Sequence, residues 1–253
     1  MGQQQTTFTR HLLYTHGYIT RMVGRAEAAL YFTRLLQIDE LRLRPELLAS
    51  WGVFFTVYPA VQHVQPSTVI ANRPAWLLDC VFRNYGPVVP QKIWTAGDSE
   101  RFCNVPLNMP IFFLHSELGI PGLRVARGTV GNPTGLMNGR ALAPVGNGCW
   151  ASIRINWPGY EEWNCQIRIK DQSQAQNTIT LETLAANVAR AVCKSLETFA
   201  GKSCLQPAWH VGGQDGITAN DIILIGLIHV SQGSWQPILQ LSRQIHLISP
   251  KKP

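Results

Sequence analysis

The sequence predicts an α+β fold, with a mixed or antiparallel sheet covered by a helix from the C-terminal half, and three runs predict it. Trp150 to Trp157 alternates apolar and polar side chains, as a strand with one buried face does. Leu181 to Phe199 places apolar residues at helical spacing, and Ile222 to Val230 is a short, β-branched apolar run suited to a central strand. A helical N-terminal segment completes the expectation.

In chain order, residues 1–18 read as a polar, disordered start. Within it MGQQQTT fits the M-G-x-x-x-[ST] myristoylation pattern, with Gly2 as the acceptor and Thr6 at the required position. One acyl chain gives only weak, reversible membrane attachment. Residues 19–62 read as a helical segment packed on the main domain. Met22, Ala26, Ala29, Leu30, Phe32 and Leu36 recur at helical intervals, and a second helix is expected from Pro45 to Tyr58, since proline suits a first turn and Pro59 ends the run. Residues 63–250 form the expected α+β domain. Repeated prolines after Gln65 exclude long helices there, so short strands are expected at Trp76 to Phe82 and Val88 to Trp94. Met109 to His115 is a buried strand and Gly119 to Val125 its partner.

Residues 127–149 are rich in glycine, including Gly131 and Gly135. Bare backbone N–H groups in such a loop can approach a phosphate, but neither the closing G-K-[ST] of a P-loop nor the G-x-G-x-x-G of a dinucleotide site is present. The loop is expected either to connect or to bind. After the strand at Trp150, Pro158 and Gly159 turn the chain, and Gln166 to Lys170 reads as a second short strand. Thr180 is placed to cap the helix, Glu182 complements its dipole, and Gly201 stops it. Leu181, Leu184, Val188, Val192, Leu196 and Phe199 share one face. Trp235 to Leu241 returns from the central strand, and Pro237 predicts that the returning strand lies at an edge or begins after the proline.

Composition narrows the functional classes. Apolar residues make up 45% of the 253 and charged residues 15%, with a formal net charge of +7, a globular composition that only weakly favours anionic partners. No Lys/Arg run resembles a nucleic-acid-binding arm, so nucleic-acid or anion binding is expected to be weak and non-specific. The six cysteines include no C-x-x-C pair and read as reduced, buried thiols; Cys204 with His210 is too few ligands for a metal site. No cofactor motif occurs. With neither a signal-peptide core nor a long apolar span, the expectation is an intracellular protein, cytoplasmic or nuclear.

The segments WPGYEEWNCQI, ITLETLAANVARAV and DIILIGLIHVSQGSWQPILQL, with Asp171, resemble a large group of uncharacterised proteins from mushroom-forming fungi. The resemblance covers roughly the C-terminal 100 residues that these segments span. It implies a fungal origin and no activity, cofactor or catalytic residue.

Two functional classes follow from the residues themselves. Trp157, Tyr160 and Trp163 around the WPGY turn can form an aromatic platform, which together with the glycine-rich loop suggests a non-catalytic binding or scaffold protein, possible partners including a protein. Core packing is the competing role for those rings. The alternative is an enzyme, hydrolase-like, with a site assembled from distant residues. No G-x-S-x-G elbow occurs, and Glu161 and Glu162 point apart in an extended segment. His229, Ser231, Ser234 and Asp221 lie close in sequence near the end of the expected central strand, where a packed or surface histidine is the competing reading to a catalytic one.

Overall fold

The computed structural model describes residues 17–37, 53–56, 68–70, 73–80, 85–95, 105–116, 121–129 and 135–243. Gly2 and Gly131 lie outside these residues, as does most of the Pro45 to Tyr58 helix expectation. The expected α+β class is observed. Three layers stack: two short N-terminal helices, a mixed six-stranded sheet, and one long helix.

The N-terminal layer comprises α1 (Tyr18–Val23) and α2 (Arg25–Leu36). Tyr18, assigned by the sequence to a disordered start, is fully buried. A single helix from Ile19 was expected, but Gly24 takes φ 89° and ψ 161° and breaks it. The restart rotates the buried face, so Ala28, Ala29, Tyr31, Phe32 and Leu35 point inward while Leu30 is 63% exposed. Val53–Thr56 (β1), expected to be helical, is a strand running parallel to Arg73–Cys80 (β3), which also pairs with Thr68–Ile70 (β2). β-Branched and aromatic VFFT prefers the extended form once a partner is available, and no local signal announces a partner this distant.

The main sheet is built around β8 (Ile222–Ser231). One edge of β8 pairs with β4 (Ile111–Phe112) and then with β5 (Leu123–Arg124), which a short helix, α3 (Val125–Gly128), follows. Met109 to His115 and Gly119 to Val125 thus meet β8, and among the described residues they touch each other at a Leu114–Pro121 bridge, where the Gly122 N–H donates to the Phe113 carbonyl. Gly226 permits this approach, since a Cβ there would lie 2.2 Å from the Ile111 carbonyl oxygen. The other edge of β8 pairs with β9 (Ser234–Leu241), then come β6 (Trp150–Ile155), parallel to β9, and β7 (Trp163–Arg168) at the margin.

β9 is therefore interior, correcting the edge position expected from Pro237. The Pro237 and Leu239 carbonyls and the Leu241 N–H all point away from β8, toward Gln91 Nε2, the Val89 N–H and the Pro87 carbonyl. The missing N–H of Pro237 falls on that side too, where β6 has already ended its pairing at Trp235, so no ladder bond is lost.

α4 (Leu181–Ala200) covers one sheet face, and its six-residue stripe is buried as expected. That burial contributes on the order of 10 kcal/mol before entropy is counted. Gly201 ends the helix with φ −89°, so its freedom to adopt a left-handed conformation is not used. The opposite face of β8 and β9 presents Ile225, Ile228, Val230 and Ile238 to α1 and α2. Burial on both faces explains why β8 reads as a continuous apolar run.

Candidate functional site

The WPGY turn leaves the end of β6. Trp157 is 1% exposed, its indole N–H donates to the Trp209 carbonyl at 2.9 Å, and its ring meets Trp209 edge-on. Its ring is thus packed in the core. Gly159 follows at φ 82°, and a Cβ there would sit 2.6 Å from the Gln206 backbone nitrogen, so only glycine lets the turn lie against residues 204–206. Tyr160 is half-buried, packs on Phe199 at 4.7 Å between centroids, and accepts the Val211 N–H on its hydroxyl at 3.0 Å. Burial raises its phenol further from any role as a base at neutral pH. Trp163 opens β7, half-buried against the core.

Of the three aromatics, Trp157 and Tyr160 border an open cleft of about 420 Å³, and Trp163 does not. The opposite wall is Lys92, Ile93 and Trp94, with Asn156 and Glu162 beside the turn. Sequence reasoning missed this wall. Residues 91–94 are held by amides rather than by a strand ladder: Gln91 Nε2 donates to the Pro237 carbonyl, Gln236 Nε2 and Asn156 Nδ2 both donate to the Lys92 carbonyl, and Gln236 Oε1 accepts the Trp94 N–H. Gln91 and Gln236 are buried, and each link spans at least 64 positions of sequence. Buried glutamines in Val88 to Trp94 and in WQPILQL were the signal available.

Arg154 fixes the rim. Its guanidinium lies 4.1 Å from the centroid of Trp94 and pairs with Glu162 at 3.3 Å. The cation thus orients an aromatic wall and an acidic rim at once, while Lys92 projects into solvent.

The described part of the glycine-rich loop has a different task. The Ala141 and Gly139 carbonyls accept the Leu181 and Glu182 N–H groups at 2.9 Å each, and Thr180 Oγ1 accepts that of Thr183 at 3.3 Å. The free N–H groups of α4 are thereby occupied by the chain itself. Gly135, at φ 83°, turns beside His115 and is not part of the cleft.

A second polar cluster lies under α1 and α2. Asp79, fully buried, accepts the Ile19 N–H at 3.2 and 3.3 Å and the Cys80 N–H at 2.8 Å. Burial pushes its carboxyl up to about 8 despite these bonds. Burial likewise raises Tyr31, with Asp79 adding to the effect. His229 stacks on Trp235, accepts the Asn108 N–H on Nδ1 at 2.8 Å, and is held down at about 4 by burial and then by Arg34. Asp221 stands at the far end of β8; burial raises its carboxyl, but the Thr218 N–H and Arg243 outweigh this and hold it below the usual range. His229 and Asp221 therefore do not meet.

Cys80 is the only buried thiol among the five described cysteines; Cys149 is exposed and Cys165, Cys193 and Cys204 are half-buried, which corrects the expectation of buried thiols throughout. Among the described residues no group of three His, Cys, Asp or Glu side chains could hold a metal, and no helix is long and apolar enough to cross a membrane. Compared with protein-family models, curated proteins and solved structures, the chain finds no match.

Proposed function

We propose that this chain is a non-catalytic binding or scaffold protein and that the cleft between Lys92–Trp94 and the WPGY turn is its contact surface for a protein partner. The carrying observation is the cleft's composition. Trp94, Ile93 and Tyr160 offer aromatic and apolar walls, Lys92 and Glu162 supply opposite charges at the rim, and buried amides brace the whole. Its volume of about 420 Å³ lies at the lower end of the range of about 300 to 1,000 Å³ for small-molecule pockets, room for a partner's side chain rather than for a broad surface. An apolar side chain between Trp94 and Tyr160, flanked by polar groups that reach Lys92 and Glu162, is the chemistry that fits.

Partners selected from a peptide display library should shift the backbone resonances of residues 92–95 and 156–162. Lys92→Glu should weaken them by about tenfold or more, as loss of a rim charge paired with a ligand group does. Selected binders that map elsewhere, or that ignore Lys92→Glu and Trp94→Ala alike, would remove this assignment.

One observation favours the enzyme alternative: Asp79, Tyr31, Arg34 and His229 influence one another from three elements, and shifted acids and bases gather at catalytic sites. Turnover of a hydrolysable ester or amide that vanishes in folded Asp79→Asn and His229→Gln variants would establish that reading over the first.

A further inference from the structure

The margin of the sheet at β7 carries a second recognition surface. β7 pairs with β6 in unbroken antiparallel register from Trp150–Arg168 to Ile155–Trp163. The Ile169 N–H donates to the Cys149 carbonyl, so odd-numbered residues of β7 bond inward and even-numbered ones present their N–H and C=O groups outward. The Arg168 carbonyl faces out and is taken by Asn187 Nδ2 from α4 at 3.1 Å. The outward groups of Asn164 and Gln166 bond to none of the described residues, on a strand without the bulge or proline that commonly blunts an edge.

Alongside this edge runs a groove of about 280 Å³ between β7 and α4. Two cations from the helix, Arg190 and Lys194, line it, Arg168 borders it from the strand with its guanidinium also donating to the Asp171 carbonyl, and no acid lines it. Glu197 lies one helical turn beyond Lys194, outside the groove, and Asp171 turns its carboxylate to Ser173. Arg190 donates to Asn187 Oδ1, which orients the guanidinium over the groove's end.

We propose that β7 binds an extended acidic peptide segment by strand addition, its backbone pairing with Asn164 and Gln166 and its carboxylates reaching Arg168, Arg190 and Lys194. Strand addition draws affinity from main-chain hydrogen bonds and specificity from alternate side chains, and here both requirements lie side by side. A second copy of this chain is the wrong occupant. A two-fold pairing of β7 with itself would bring the same three cations of each copy together. The proposal is independent of the cleft at the WPGY turn, which uses other residues.

The test uses the full chain and a fluorescent, acetylated peptide of alternating Glu and Val, read by anisotropy, with Asn164 and Gln166 amide shifts followed by NMR. Saturable binding is expected, absent for a peptide of alternating Lys and Val and for one with proline at every second position. Arg190→Glu with Lys194→Glu, both on the exposed side of α4, should weaken it at least about tenfold. Gln166→Pro removes an outward N–H without breaking a β6–β7 bond and should weaken it similarly, with Asn164→Pro as the substitute if that variant melts early. The proposal is overturned if the acidic peptide does not bind, if binding survives proline at position 166 or 164 in a folded protein, or if single-stranded RNA occupies the groove in preference to the peptide.

Discussion

The helices on the two faces of the sheet have the same difficulty at their N-termini and resolve it by opposite means. α4 is capped by neutral oxygens: the adjoining Thr180 takes one N–H, and the Ala141 and Gly139 carbonyls of the glycine-rich loop, 40 and 43 positions upstream of their donors, take two more. α1 has Gly17 at its cap position with no side-chain bond, and its N-terminus is served by Asp79, 60 residues away on β3. A cap of neutral oxygens costs little to place. The acidic one puts a carboxylate in the core, where charge is strongly disfavoured. One helix start is consequently capped without a charge, and the other by a buried titrating group.

Hollowing either layer should have the largest effect. Phe32→Ala beneath α2 and Leu184→Ala beneath α4 each remove a fully buried side chain and should cost about 3 to 5 and 2 to 5 kcal/mol respectively in denaturant unfolding. A loss below about 1 kcal/mol in either would mean that the layer does not pack as described.

The same contrast explains what the sequence disclosed. α4, its stripe and its Thr180 cap are set by contacts within one turn of helix, and β6 and β8 by alternation or a continuous apolar run, so local pattern sufficed. The break at Gly24 was invisible because glycine inside an apolar pattern reads as a tolerated defect. β1 was read as helix because Pro45 and Pro59 bracket the run as helix bounds would, while its parallel partner stands far downstream, Val53 pairing with Trp76. Pro237 misled because edge position was inferred from one missing donor, while the side on which that donor would point depends on the register. At the candidate cleft, Trp157 and Tyr160 were legible as aromatics in a turn. The facing wall was not: Gln91 and Gln236 stand out as glutamines in apolar runs, but that Gln236 reaches Lys92, 144 positions away, is set by the fold.

Next in size is the acidic cap. Asp79→Ala leaves the Ile19 and Cys80 N–H groups buried without an acceptor and should cost about 3 kcal/mol. Asp79→Asn retains an acceptor oxygen and should cost less than half as much. Equal losses for the two would indicate that the negative charge, and not acceptance of the N–H groups, is what α1 requires.

The buried carboxyl also predicts a pH dependence with a definite sign. Its folded value of about 8 lies above the ordinary 3.8, so the native state holds the extra proton between them and this group's contribution is lost as pH rises toward 8. His229 acts oppositely: its folded value of about 4 lies below 6.5, so its contribution is lost as pH falls from 6.5 through 4. Below 6.5 the two slopes oppose each other, and between 6.5 and 8 Asp79 acts alone. Urea midpoints measured across that upper window should fall with rising pH in the native protein and stay level in Asp79→Asn. A level native profile would mean that the carboxyl is not buried as a neutral acid.

The smallest effect belongs to the neutral cap, and its size follows from how the work is divided there. Thr180→Ala removes one acceptor from the start of α4, yet the Ala141 and Gly139 carbonyls still hold the Leu181 and Glu182 N–H groups. The cost should therefore lie near the low end for an N-cap, about 0.5 to 1 kcal/mol, with Thr180→Ser restoring most of it. Gly139→Ala attacks the other half of the cap, because the new Cβ would come within 3.1 Å of Glu182 Oε2 and 3.2 Å of the Leu136 carbonyl oxygen and press the loop away from the helix. If loop and threonine share one task, the double variant should lose more than the two single losses added, by about 0.5 kcal/mol or more in a double-mutant cycle. Strict additivity would show that the loop carbonyls are held in place by something other than α4, and the parallel between the two helix N-termini would then fail on the side that looked simpler.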